Sequence, residues 1–402
     1  MPTLESATYR FNPALELVVF DRLEPGLQLR LASLTRDPSF YGVILPVDRR
    51  AAAATPKATA KAADRESALL LLTLRTPGPI PGYARRLLGP DASHTITGLV
   101  LDGILEIELA GVFRSGPDAI GSMGLDEYDG GVDDAPPRGR IAQLSIDALR
   151  HAAALPIGDV AALAGRLYRY NTLPLAPANA AAAAPTTDLT RLGLATPGVA
   201  AALDRDWTCT ASGADGEWLC WSAAERWEST DATRGTCKLY VSPAPVAIRE
   251  AFAATVAAAT AHRALAFKVG AAPYGLLRPD KLVIYFRHRD HLYAAAAALT
   301  AALAGAPAHG VPFTAGVTAD GMISWAADPP VHAGLVGGAA SESWRSWLTT
   351  QLAAALVAGR AADSQAPDRG DPVRFALRRA AALRIDPRTW VPADTMWQAG
   401  AT

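Results

Sequence analysis

Several things are scarce in this chain, and each shortage excludes a class of protein. Three cysteines occur in 402 residues, Cys209, Cys220 and Cys237. None forms a CxxC pair, so the sequence carries neither a disulfide framework nor a cysteine-rich metal cluster, and buried free thiols are expected. Charge of one sign is lacking too: 38 basic and 39 acidic residues leave a formal net charge of −1. No global field recruits nucleic acid or an anionic membrane, so a cluster of cations has to have a local reason. The opening MPTLESATYRF has no cationic segment followed by an apolar one, and the longest uncharged helical stretch, Leu292 to Ala308, is alanine-dominated and too short to cross a bilayer. The expectation is a cytoplasmic protein with no membrane and no nucleic-acid partner.

Two motif fragments fail for lack of their partners. His288-Arg289-Asp290 matches the opening of a kinase catalytic loop, but no Asn follows at the required spacing, and neither a DFG nor a Gly-rich loop is present. His288 and His291 lack an evident third ligand, so no metal site is expected.

What is present is enough apolar sequence, half the chain, for a core spanning more than one domain. Two Ala/Pro-rich segments, 51–63 and 176–188, read as linkers, and no internal repeat is found. The expected division is a β-rich segment at 1–50, an α+β accessory domain at 64–175 and a larger domain at 200–402. In the first piece LELVVF and LQLRLASL read as strands. In the second, RESALLLLTLR and PGYARRLL read as helices and GILEIELAGVFRSG as a hairpin about Ala110-Gly111. That order suits a winged-helix-like peptide-binding module or a structural cap. The last region reads strand, helix, strand, strand, helix, with further helices from Trp344 to Ala358 and after Asp371-Pro372. The fold class is α+β: a C-terminal mixed or antiparallel sheet with flanking helices, preceded by a smaller α+β region.

Strand alternation sorts the side chains of that sheet. Cys237, Leu239 and Val241 share one face of CKLYVS, with Lys238, Tyr240 and Ser242 on the other. Phe267 and Val269 face the core in ALAFKVG while Lys268 lies opposite. In KLVIYF, Leu282, Ile284 and Phe286 turn inward and Lys281, Val283 and Tyr285 outward. If the strands pair, Lys238, Tyr240, Lys268, Lys281 and Tyr285 share one surface, and the turn before Pro279 adds Arg278. Asp280 is the one acid evident nearby. Crowded cations without acidic partners suit an anion, with phosphate the natural candidate; snorkelling lysines on a solvated face are the alternative.

Over residues 237–330 the blocks CKLYVS, FKVG, GLLRPDKLVIYF, HGVPFTA and ISWAADPP, in that order, resemble the HopA1-type family. Its members are relatives of type III effector proteins and of the phosphothreonine lyase-like components of class V lanthipeptide and thioamitide biosynthesis. LYRYNTLPL (167–175) is a second point of likeness. The family is related to the phosphothreonine lyases, whose pattern is a Lys-x-His strand, a Trp-Lys strand bearing the base, and an Arg followed by a strand with a Tyr. Lys238-x-Tyr240, Phe267-Lys268, and Arg278 with Tyr285 stand in those places, with Tyr240 where the lyases carry their acid.

The resemblance implies a lyase that needs no cofactor and no metal. It would eliminate phosphate from phosphoserine or phosphothreonine of a ribosomal precursor peptide, leaving dehydroalanine or dehydrobutyrine, after a separate Ser/Thr peptide kinase has installed the phosphate. β-Elimination needs a base at Cα, cations at the phosphate and an acid at the leaving oxygen. Lys268 fits the base, because neighbouring cations favour its neutral form. Tyr240, then His309, then Tyr285 are the candidates for the acid. Lys238, Arg278 and Lys281 are the expected phosphate ligands. Asp328 is a candidate to orient one of the cations, and Arg374 and Arg378, four apart on one helix face, are candidate substrate contacts. Loss of the lyase histidine leaves a second reading, a non-catalytic phosphopeptide-binding or scaffolding subunit of a peptide-modifying complex.

Overall fold

The computed structural model describes residues 7–32, 35, 38–47, 61–88, 92–122, 137–175, 184–212, 217–224, 237–328, 343–363 and 371–392. Residues 51–60 and 176–183 of the two Ala/Pro-rich segments, and Pro329 and Pro330 of ISWAADPP, lie outside the described residues.

The first part of the chain builds two small antiparallel sheets. Strands β1 (Tyr9–Phe11), β5 (Leu105–Leu109) and β6 (Val112–Arg114) form one; β2 (Leu15–Val19), β3 (Phe40–Pro46) and β4 (Lys61–Asp64) form the other. Between them come helices α1 (Pro25–Leu31), α2 (Arg65–Thr73), α3 (Gly82–Leu88) and α4 (Ala92–Leu101). The end of the first expected linker, Lys61 to Ala63, is therefore strand. LQLRLASL corrects a second expectation. Its alternating leucines read as a strand, yet Pro25 sits in the first helical turn, where its fixed φ favours a helix. Leu27 and Leu31, four apart, then pack together while Leu29 is 81% exposed. The hairpin β5–β6 turns through Ala110 and Gly111, both at positive φ.

Next come α5 (Gly139–Ala154), α6 (Val160–Tyr168) and α7 (Pro197–Asp206), and after them a large sheet. Its strands are β7 (Trp207–Ser212), β8 (Trp218–Ala223), β9 (Cys237–Val241), β10 (Ala266–Gly270), β11 (Leu282–Phe286), β12 (Ala315–Gly316) and β13 (Ile323–Ala327). Among the described residues the order is β12-β13-β9-β11-β10-β8-β7, with every neighbouring pair antiparallel. One face is covered by α7, by α8 (Ile248–Ala261) and by α10 (Arg289–Ala302), which follows the short α9 (Pro273–Leu276). Leu239, Phe267 and Ile284 pack there against Phe252, Val256, Leu292 and Leu299. The Phe267 ring stacks on Trp221 at 5.1 Å and meets Trp207 edge-on at 4.7 Å. The α+β class with a large antiparallel sheet and flanking helices is thus the observed one.

The opposite face, expected to be open and polar, is largely covered. Tyr240, Val283 and Ala326 belong to a core shared with Tyr9, Leu71, Leu149, Phe313 and Trp344. Helix α11 (Trp344–Asp363), longer than expected, and α12 (Pro372–Ala382), started by Asp371 accepting from Val373 N at 2.9 Å, build that core together with the first part of the chain. A closing hairpin, β14 (Ile385–Asp386) with β15 (Val391–Pro392), follows. The expected burial of the thiols holds for Cys237 alone: Cys220 is half-buried, and Cys209, on the edge strand β7, is exposed.

Candidate functional site

Register brings the predicted side chains together. Lys268 stands opposite Val283 on β11 and Cys220 on β8; Val283 stands opposite Tyr240, and Tyr240 opposite Ser324. In the adjacent row Tyr285 is opposite Lys238. Lys238 Nζ lies 5.3 Å from the Tyr285 ring centroid, close enough for the ring to favour the cation. The loop from β10 to β11 then returns Arg278 to this surface, where it shares the Trp218 indole with Lys268: Lys268 Nζ is 3.9 Å and Arg278 Cζ 4.8 Å from the ring centroid.

The expectation that these cations lack acidic partners is overturned. Lys238 Nζ pairs with Asp328 Oδ2 at 2.6 Å, and Arg278 grips Asp280 with both arms of its fork, Nε to Oδ1 at 2.9 Å and Nη2 to Oδ2 at 3.0 Å. Asp280 also accepts from Arg345 Nη1 at 2.8 Å and from the Tyr168 hydroxyl at 3.1 Å. Alternation along single strands could not show this, because both carboxylates sit just beyond a strand end. Burial opposes the charge of Asp280, yet Arg345, Arg278 and Lys268 hold its carboxyl far below the usual range. Burial opposes the charge of Arg278 as well, and Asp280 reverses the balance and raises it. The negative charge of Asp280, followed by burial, pushes the Tyr168 phenol up to about 12.

Lys268 is the exception in this company. Its ammonium makes no hydrogen bond or ion pair among the described residues and rests on Trp218. Burial, helped by the charges of Lys238 and Arg278 and opposed by Asp280, holds its pKa below the ordinary lysine value. Tyr240 is 3% exposed and Tyr285 half-buried. Burial raises both phenols, so both stay protonated at neutral pH.

Two expected members are placed elsewhere on the face. Lys281 is fully buried, donating to Pro243 O at 2.8 Å and meeting His309 Nδ1 at 2.7 Å. Burial draws Lys281 down to about 7, and burial with the Lys281 charge draws His309 down to about 4. His309 Nε2 is buried with no hydrogen-bond partner among the described residues. The pair is sealed by the 307–313 loop, held from outside by Asn171, which donates to His309 O and Gly310 O at 3.3 and 3.0 Å. Asp328 reaches Lys238 and also accepts from Trp344 N at 3.0 Å, tying the start of α11 to the sheet. Arg374 and Arg378 lie on α12, which packs on α11 and α4; Arg374 is exposed and Arg378 buried, so they do not share one solvated face.

Three contributors went unnoticed in the sequence: Trp218, Tyr168 and Arg345. Arg345 is 1% exposed and joins three elements through Asp280, Pro312 O at 3.2 Å and Tyr168 O at 2.6 Å. One signal was available for the lysines. The chain holds only five, Lys57, Lys61, Lys238, Lys268 and Lys281, so arginine is its default cation, and three of the five fall on this sheet. A lysine ammonium is compact and shifts its pKa readily when buried, whereas a guanidinium stays protonated.

No protein-family model and no curated protein matches the chain. Among solved structures it is similar to the effector protein from Pseudomonas syringae pv. tomato strain DC3000, at 11% identity and a TM-score of 0.40, covering 62% of this chain and 97% of that one. It is similar also to the effector protein from Pseudomonas syringae pv. syringae strain 61, at 13% identity and a TM-score of 0.40, covering 62% and 98%.

Proposed function

We propose that this protein is a metal- and cofactor-independent lyase that eliminates phosphate from a phosphoserine or phosphothreonine in a peptide. The observation that carries the reading is Lys268: an amine without a hydrogen-bond partner among the described residues, with a lowered pKa, on an aromatic ring and flanked by Lys238 and Arg278. In this reading neutral Lys268 takes the Cα proton, the Cα–Cβ double bond forms as the Cβ–O bond breaks, and phosphate leaves. The acidic partners do not saturate the cradle. An ammonium has three donors and a guanidinium five, so Lys238 keeps donors beyond Asp328, and Arg278 keeps its Nη1 group for a phosphate oxygen.

For the leaving oxygen the geometry favours a phenol, Tyr285, which is half-buried and lies against Lys238; Tyr240 shares the row of Lys268 but is 3% exposed. His309 is committed to Lys281 at the sealed end. The sequence blocks resembling the phosphothreonine lyases support the same assignment of Lys268 and Arg278. A ribosomal precursor peptide as substrate and a separate kinase as the source of phosphate complete the proposal.

The test is mass spectrometry of a phosphothreonine peptide incubated with the full chain, chelator and no nucleotide. Loss of phosphate to leave the dehydrated residue is expected. Lys268→Arg keeps the charge but cannot accept a proton, and elimination should fall by roughly two to four orders of magnitude. Wild-type turnover by Lys268→Arg removes the base assignment. Binding of the phosphopeptide without turnover by the wild type leaves the scaffolding reading, which the missing lyase histidine favours.

A further inference from the structure

Trp218 carries two cations on one indole, and the backbone explains how. It stands opposite Gly270 across β8 and β10, so no β10 side chain competes for the space beside the ring. A Cβ at Gly270 would meet the Gly275 backbone at 2.5 Å, so the loop after β10 folds back tightly and brings Arg278 to the ring that already holds Lys268. Placing two like charges against one indole is costly unless the negative π-cloud of the ring offsets their repulsion.

We infer that Trp218 is a positioning residue for Lys268, its ring fixing the amine beside Arg278 and favouring the ammonium over the amine. The inference rests on the reading of Lys268 as the base. The groups around Lys268 are Cys220 from β8, Lys238 from β9, and Arg278 and Asp280 from the loop, with Tyr285 of β11 in the adjacent row. Burial, Lys238 and Arg278 drive the proton off; Asp280, Cys220 and the Trp218 ring hold it on. The ring thereby opposes the effect of burial. A tryptophan that merely fills space would leave the titration of Lys268 where it is.

The experiment is an NMR titration of the full chain with its lysines reductively 13C-methylated. Five lysines make a sparse spectrum, and Lys268→Arg identifies the signal. In Trp218→Leu the Lys268 midpoint should fall by about one pH unit, the worth of a half-buried cation–π contact, with Trp218→Phe in between. The acid limb of kcat/KM for phosphopeptide elimination should move the same way, while the plateau drops because the amine has lost its seat. A midpoint unchanged or raised in both variants, with wild-type circular dichroism, overturns the inference. If Trp218→Leu does not fold, Trp218→Phe decides it by the same midpoint. If the wild type eliminates no phosphate, the lyase reading fails, and the titration still decides the role of Trp218.

Discussion

Two lysines on one face of one sheet have met opposite fates. Lys268, near the middle, rests on Trp218 with no hydrogen bond among the described residues, while Lys281, just before β11, is fully buried between Pro243 O and His309. Burial lowers the pKa of both. The direction of the shift therefore does not distinguish them; the covering does. The 307–313 loop closes over Lys281, with Asn171 holding its backbone, and turns an expected phosphate ligand into an internal prop. A depressed lysine is a candidate for chemistry only where a substrate can reach it.

Asp280 joins the two ends, and its removal should have the largest effect on the frame. Asp280→Asn strips the buried Arg345 and the half-buried Arg278 of their shared carboxylate, and breaking a buried pair typically costs about 3–5 kcal/mol. The urea midpoint should drop with an unchanged slope. A loss below about 1 kcal/mol would mean that Arg278 and Arg345 find water instead, and the site would be wetter than its burial implies.

The sealed end is probed through pH. Lys281 in the folded protein titrates near 7 against an ordinary 10.5, so between those values the unfolded chain binds a proton that the folded chain does not. Its contribution to stability is therefore full above about 10.5 and is lost as pH falls toward 7. Lys281→Met lacks the titration, so the stability difference, wild type minus variant, should rise with pH across that window. His309, drawn to about 4 from 6.5, adds a second loss in the same direction between those values, and His309→Leu should flatten that limb. Parallel curves for wild type and Lys281→Met would mean that Lys281 is solvated and the two ends are alike.

The smallest effect belongs to the outlying arginine. Arg374 is exposed, and Arg374→Ala should change stability by no more than about 0.5 kcal/mol and leave phosphopeptide affinity unaltered. A selective loss of phosphopeptide binding would extend the site onto α12.

Much of this was legible in the residues. Period-two alternation in CKLYVS, ALAFKVG and KLVIYF assigned Leu239, Phe267 and Ile284 to one face and Lys238, Lys268 and Tyr285 to the other, because strand geometry leaves no choice once the strands pair. The same logic misled at LQLRLASL, where Pro25 and the Leu27–Leu31 spacing outweighed the alternation. It was silent on the β7–β8 hairpin, whose Trp218 supplies the ring under Lys268.

The sequence by itself determined which side chains share a sheet face and that the base candidate sits among cations, since both follow from local backbone geometry. Only the tertiary structure decided which cations are answered by a carboxylate and which lysine is sealed. Asp328, Tyr168, Arg345 and the His309 loop come from strand ends, helices and turns far apart in the chain, and packing alone brings them to the sheet. Electrostatic partnership depends on distance in space, and a strand's own periodicity carries no information about what folds over it.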